Sequence, residues 1–80
     1  MGSNMTSSTR KLRAALLLKA ITEREIAVQI GVSQSSISRT IRGERRNARL
    51  RIRISRLLGV SIDVWRDLDA ELKTQEVKKQ

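Results

Sequence analysis

Residues 22–46 read TEREIAVQIGVSQSSISRTIRGERR, and this stretch decides the fold. Thr22 and Glu25 form a capping box ahead of Ile26, Ala27 and Ile30, the signature of a helix that opens at Thr22. Gly31 stops it, because glycine takes the left-handed conformation that closes a helix without a Cβ clash. Val32 follows, then Ser33, a strong N-cap. A second helix runs from Gln34 to about Arg42 with Ile37 and Ile41 inward, and Gly43 ends it. Two short helices therefore meet across a turn of three residues. Ala27 lies where they cross, since only a small side chain lets the two axes approach. Val32 plugs the corner between them. Ile37 anchors the second helix to a core, so its opposite face must point outward.

That outward face carries Gln34, Ser35, Ser36, Ser38, Arg39 and Arg42, with no carboxylate among them. A solvated helix normally mixes glutamate with lysine. This one lacks negative charge and bulk, which suits insertion into a DNA major groove about 12 Å wide. Glutamine can pair bidentately with adenine, arginine with guanine, and serine with either. Ser33 leaves backbone amides free at a helix N-terminus, where a phosphate can sit.

Three more helical patterns flank this pair. One runs from about Thr9 to Ala20, with Leu12 and Leu16 on one side and Ala15 and Leu18 widening its apolar face. Another runs from Ala48 to Leu58, capped by Asn47 and closed by Gly59. There Leu50 to Ile54 also alternates with the period of a strand. Length, cap and stop favour helix, which leaves Ile52 on the outer side. The last runs from Ile62 to about Lys73, with Ser61 as cap and Val64, Trp65, Leu68 and Leu72 as its apolar side. Trp65 is the sole aromatic residue, so it builds no stacking platform for single strands. Its expected role is packing of the last helix on the first.

Lys and Arg outnumber Asp and Glu by 17 to 8, and the excess is local. Arg10 to Arg56 holds thirteen basic residues against Glu23, Glu25 and Glu44, a net of +10, whereas Leu57 to Gln80 carries a net of −1. A polyanionic partner is the natural reading, with nucleic acid ahead of an anionic membrane. Cysteine and histidine are absent, so disulfides are impossible and the strongest transition-metal ligands are missing. No cofactor and no small-molecule ligand suggests itself. No apolar run approaches the ~20 residues that cross a bilayer. With no tyrosine either, no nucleophile–base pair is evident, and an enzyme is the easiest class to set aside.

The stretch from Arg10 to Trp65 resembles the lambda-repressor-like helix-turn-helix family, the Cro/CI type, and within it the phage Ner-like regulators. The likeness rests on Thr22 to Arg46 and on LLGVSIDVW, Leu57 to Trp65. The resemblance implies that Gln34 and Ser35 open the recognition helix and touch base edges. It places Ser38 and Arg39 on the next turn, at bases or backbone, and Arg42 with the 43–46 loop at phosphate. Ser33 and Ser36 at the helix start, Arg45 and Arg46 in the loop, and Arg49 beyond it complete the expected phosphate set. Arg51, Arg53 and Arg56 read as a solvated face, while Arg10, Lys11 and Arg13 could reach the backbone. Two positions depart from the pattern. Glu23 stands where a phosphate-binding glutamine is common, and Thr40 stands where an aliphatic residue is usual, which suggests a slightly rotated helix.

The expected protein is all-α, a compact five-helix domain over residues 9–73 with a central helix-turn-helix. Residues 1–8 read as a disordered arm, its first four residues a scar of expression, and residues 74–80 as a disordered tail. The expected function is a sequence-specific, double-stranded DNA-binding repressor of phage or prophage type. It would be a homodimer on a pseudo-palindromic operator, cytoplasmic and nucleoid-associated in a bacterial host. An antitoxin of the same fold explains the same features. A non-specific or RNA-binding role explains only the charge.

Overall fold

The computed structural model describes residues 6–78, with side chains from residue 6 to residue 74. Most of the expected N-terminal arm and the end of the expected tail lie outside these residues. Five helices follow in order: α1 (Ser7–Leu18), α2 (Glu23–Ile30), α3 (Gln34–Ile41), α4 (Ala48–Leu58) and α5 (Asp63–Lys78). The protein is all-α.

The central pair forms as its caps dictate. Thr22 Oγ1 accepts the Glu25 N–H at 3.1 Å, and the Thr22 N–H donates back to Glu25 Oε1 at 2.8 Å. Gly31 sits at φ +88°, donating to the Ala27 carbonyl, and Val32 donates to the same oxygen. Ser33 Oγ accepts the Ser36 N–H at 3.2 Å and opens α3. Ala27 is buried at the crossing, as expected. Val32 is not a plug: it is 38% exposed, and the corner closes through backbone hydrogen bonds instead.

The segment with two periodicities is a helix. Asn47 Oδ1 accepts the Leu50 N–H, Gly59 ends α4 in the left-handed region, and Leu50, Ile54 and Leu58 are buried. Ile52 faces outward, 40% exposed. Helix packing wins because i, i+4 and i+8 reach one core, whereas the alternating pattern has no strand to pair with among the described residues.

The first and last helices differ from the sequence reading. α1 begins at Ser7, with Thr6 as its cap, rather than at Thr9. Its first turn is tied to the rest of the fold: Thr9 Oγ1 donates to the Ile41 carbonyl at 2.8 Å. Glu71 of α5 accepts from Ser7 Oγ at 2.8 Å and from the Ser8 N–H at 3.1 Å. A carboxylate at a helix N-terminus satisfies orphan amides and complements the helix dipole. α1 ends at Leu18, two residues before the expected Ala20, which takes φ +54° to turn the chain. Leu17 and Leu18 are therefore exposed, and only Leu12, Ala15 and Leu16 face the core. α5 starts at Asp63, whose N–H donates to Ser61 Oγ, and continues to Lys78 because no glycine or proline stops it after Lys73.

One core joins all five helices, with Leu12, Ile26, Ile37, Ile41, Ile54 and Leu68 fully enclosed. Each such side chain contributes ~1.5–3 kcal/mol through burial. Trp65 belongs to this core, in the helix that packs on α1 as expected, and it also bonds to α4: the indole Nε1–H donates to Ser55 Oγ at 2.6 Å. Arg51 corrects its sequence reading as a solvated side chain. It is buried, with its guanidinium 5.2 Å from the Trp65 ring centroid and paired to Asp69 of α5 through two hydrogen bonds of 3.0 and 2.9 Å.

Candidate nucleic-acid interface

α3 is held by its apolar side. Ile37, Thr40 and Ile41 are fully buried, which fixes the opposite face outward. Thr40 is fully enclosed on this side, and its hydroxyl donates to the Ser36 carbonyl one turn back at 2.7 Å. Of the residues expected at bases, Gln34, Ser35 and Arg39 are exposed on that outward face. Ser38 is half-buried, and its hydroxyl donates to Glu23 Oε1 from the first turn of α2.

The residues expected at phosphate fall into two groups. Ser33, Ser35 and Ser36 share a hydroxyl cluster at the N-terminus of α3, with Ser33 Oγ 3.2 Å from Ser35 Oγ and 3.0 Å from Ser36 Oγ. Arg45 folds back onto this turn, its Nη1 donating to Ser36 Oγ at 3.1 Å. Ser36, Arg45, Asn47, Arg49 and Arg53 line one shallow groove floored by Ile30, Val32 and Leu50. Three guanidinium groups and a hydroxyl thus surround a concave strip beside α3. Arg42 and Arg46 stand apart. Arg42 pairs with Glu44 at 3.3 Å, and Arg46 pairs with Asp69 at 3.6 Å, the carboxylate that also holds Arg51.

Asp69 is held below its ordinary range by the Arg51 hydrogen bonds above all, against the opposing effect of burial, with the charges of Arg51 and Arg46 adding to the lowering. For Glu71, burial pushes the carboxyl up, and the hydrogen bonds from Ser7 and Ser8 outweigh it, leaving it below the usual value. Both carboxylates belong to α5, away from the outward face of α3.

Arg53 is a residue that the sequence reading assigned to solvent and the structure brings to the arginine groove. The i, i+4 spacing from Arg49 places both on one flank of α4 and was the available signal. A second groove is lined by Gln34 together with Arg13, Leu16, Leu17, Ile21 and Glu23. Glu23 and Leu17 reach the neighbourhood of α3 only through the fold, which no local pattern reveals.

Among the described residues, no helix is long and apolar enough to cross a membrane, and no cluster of Asp and Glu could hold a metal ion. The helix-turn-helix family model matches residues 12–65, which spans all of α2, α3 and α4 and the first turn of α5. Comparison with curated proteins and with solved structures gave no match. More than half of the chain is covered, from the core residue Leu12 to the core residue Trp65. The chain belongs to the Cro/CI-type helix-turn-helix family of double-stranded DNA-binding transcription regulators.

Proposed function

We propose that the protein is a sequence-specific repressor of phage or prophage type that inserts residues 34–42 in the major groove of its operator. The observation that carries this reading is the outward face of α3: Gln34, Ser35 and Arg39 are exposed, no carboxylate lies on the helix, and an arginine-lined groove runs alongside. Gln34 and Arg39 have the length and donor sets for bidentate base contacts. Ser33, Ser36, Arg45, Arg49 and Arg53 fit a phosphate at the helix N-terminus. Arg42 and Arg46 reach phosphate by exchanging a carboxylate partner for it.

Binding as a symmetric homodimer is part of the proposal, with the recognition helices one duplex turn apart, ~34–36 Å. α5 uses Val64, Trp65 and Leu68 in the core, so among the described residues it leaves little apolar surface for a partner. Among the described residues, Ile62, 60% exposed, and Ile52, 40% exposed, are the large apolar side chains of this half that remain available. The deciding experiment is selection of bound sites from random duplex DNA, followed by sedimentation of the selected complex. A pseudo-palindromic motif occupied by two chains is the expected result. No enriched motif, or a single chain on the best site, overturns the corresponding half of the proposal.

A further inference from the structure

We infer that Glu23 is a specificity-determining residue, and that with Ser38 it reads one base position as amino-bearing, adenine or cytosine, against guanine or thymine. The inference rests on the reading of α3 as the helix that enters the major groove. Ser38 occupies the second turn of α3, half-buried, and its Oγ donates to Glu23 Oε1 at 2.5 Å. Glu23 is itself half-buried at the first residue of α2 and lines the same groove as Gln34. Among the described residues it has no ion pair.

A serine hydroxyl has one proton and two lone pairs, and a carboxylate accepts only. The proton of Ser38 is therefore committed to Glu23. A hydrogen bond to an ionised acceptor is roughly twice as strong as one between neutral groups, so a keto oxygen of a base does not win that proton. What Ser38 then turns toward a duplex is its lone pairs, an acceptor fixed by Glu23. In the major groove an acceptor is matched by the N6 amino group of adenine or the N4 amino group of cytosine. Guanine presents N7 and O6, and thymine presents O4, all acceptors themselves. Setting lone pair against lone pair leaves both sides unsatisfied, with an expected loss of about tenfold in affinity at that position. A free serine would rotate its hydroxyl and accept all four bases. Glu23 removes that freedom.

The test compares base preferences from random-duplex selection for the parent, Ser38→Ala and Glu23→Ala, with circular dichroism melting to establish folding. Ser38→Ala identifies the position by flattening it. The parent should show adenine or cytosine there by about tenfold, and Glu23→Ala should shrink that preference below about threefold by freeing the Ser38 proton. A parent preference for guanine or thymine at that position overturns the inference. So does Glu23→Ala leaving the amino preference intact, or Ser38→Ala flattening no position. If Glu23→Ala does not fold, the polarity of the position mapped by Ser38→Ala still decides. A parent that selects no motif at all marks failure of the DNA-reading helix itself, and is distinguishable because every position is then flat.

Discussion

Removing Asp69 should cost the fold far more than its place on the surface suggests. The Arg51 side chain is 10% exposed and donates to both Asp69 oxygens, while Asp69 itself is 32% exposed. Exposed pairs are worth ~0–1 kcal/mol, and stripping the partner from a buried charge costs ~3–5 kcal/mol. With one member enclosed and the other a third open, Asp69→Asn should destabilise by ~2 kcal/mol, because the Arg51 guanidinium stays against Trp65 without its counter-charge. In a domain of this size each kcal/mol lowers the melting temperature by ~4–8 °C, so the expected shift is ~8–16 °C. Arg66→Gln is the control. Its pair with Asp63 is 77% and 65% exposed, and the variant should melt within ~2 °C of the parent. Acidity gives an independent readout. The folded Asp69 carboxyl is held below its ordinary value of 3.8, so its stabilisation is present above that pH and is lost as pH falls through the folded value. Asp69→Asn should flatten that part of the acid limb. Glu71, also held below its ordinary 4.5, leaves a residual slope. Thermal melting followed by circular dichroism between pH 2 and pH 7 measures both effects. An Asp69→Asn protein that melts within ~2 °C of the parent and keeps its full acid limb refutes the reasoning.

Gly31→Ala and Gly43→Ala should separate backbone strain from crowding. Both positions are left-handed, costing ~1–2 kcal/mol for any Cβ, but the new methyl is in open space at Gly31 and collides with Leu72 at Gly43, so thermal melting should find the second variant the less stable. Gln34→Ala and Arg39→Ala should each weaken the selected site by ~1–3 kcal/mol while barely changing binding to scrambled duplex; equal losses on both make these residues phosphate contacts. Glu44→Gln should release Arg42, raise affinity and steepen the salt dependence by up to ~0.9 per protomer in log K against log salt, measured by anisotropy titration; an unchanged slope means Arg42 does not meet phosphate.

Local signals carried the central helices well. Caps at Thr22, Ser33 and Asn47 and stops at Gly31 and Gly59 are chemical properties of single residues, and each acts where it stands. What the sequence hid depends on contacts across distance. Ser7 and Ser8 look like a polar arm until Glu71, more than sixty residues away, accepts from them. Arg51 looks like one of three equivalent arginines until Trp65 and Asp69 close over it. Glu23 was legible as a departure from the family pattern. Its bond to Ser38, fifteen residues on, is set by how α2 and α3 cross and not by spacing.

Asp69, in the near-neutral last third of the chain, therefore sorts two arginines of the basic two thirds rather than merely diluting their charge. Arg45, Arg49 and Arg53 line one groove and have no carboxylate partner among the described residues, so their charge is available to a polyanion. Arg51 is the opposite case. Two hydrogen bonds and an aromatic face hold it inside, and a phosphate could take it only by opening the α4–α5 contact. Arg46 lies between these extremes. Its link to Asp69 is a single contact of 3.6 Å from a side chain that is 64% exposed. Asp69 keeps its paired bond to Arg51 if Arg46 leaves, so the contact proposed between Arg46 and phosphate would orphan no charge. One carboxylate thus holds a buried arginine through two hydrogen bonds and an exposed one through a single longer contact, and under the proposed function only the second is free to turn to phosphate.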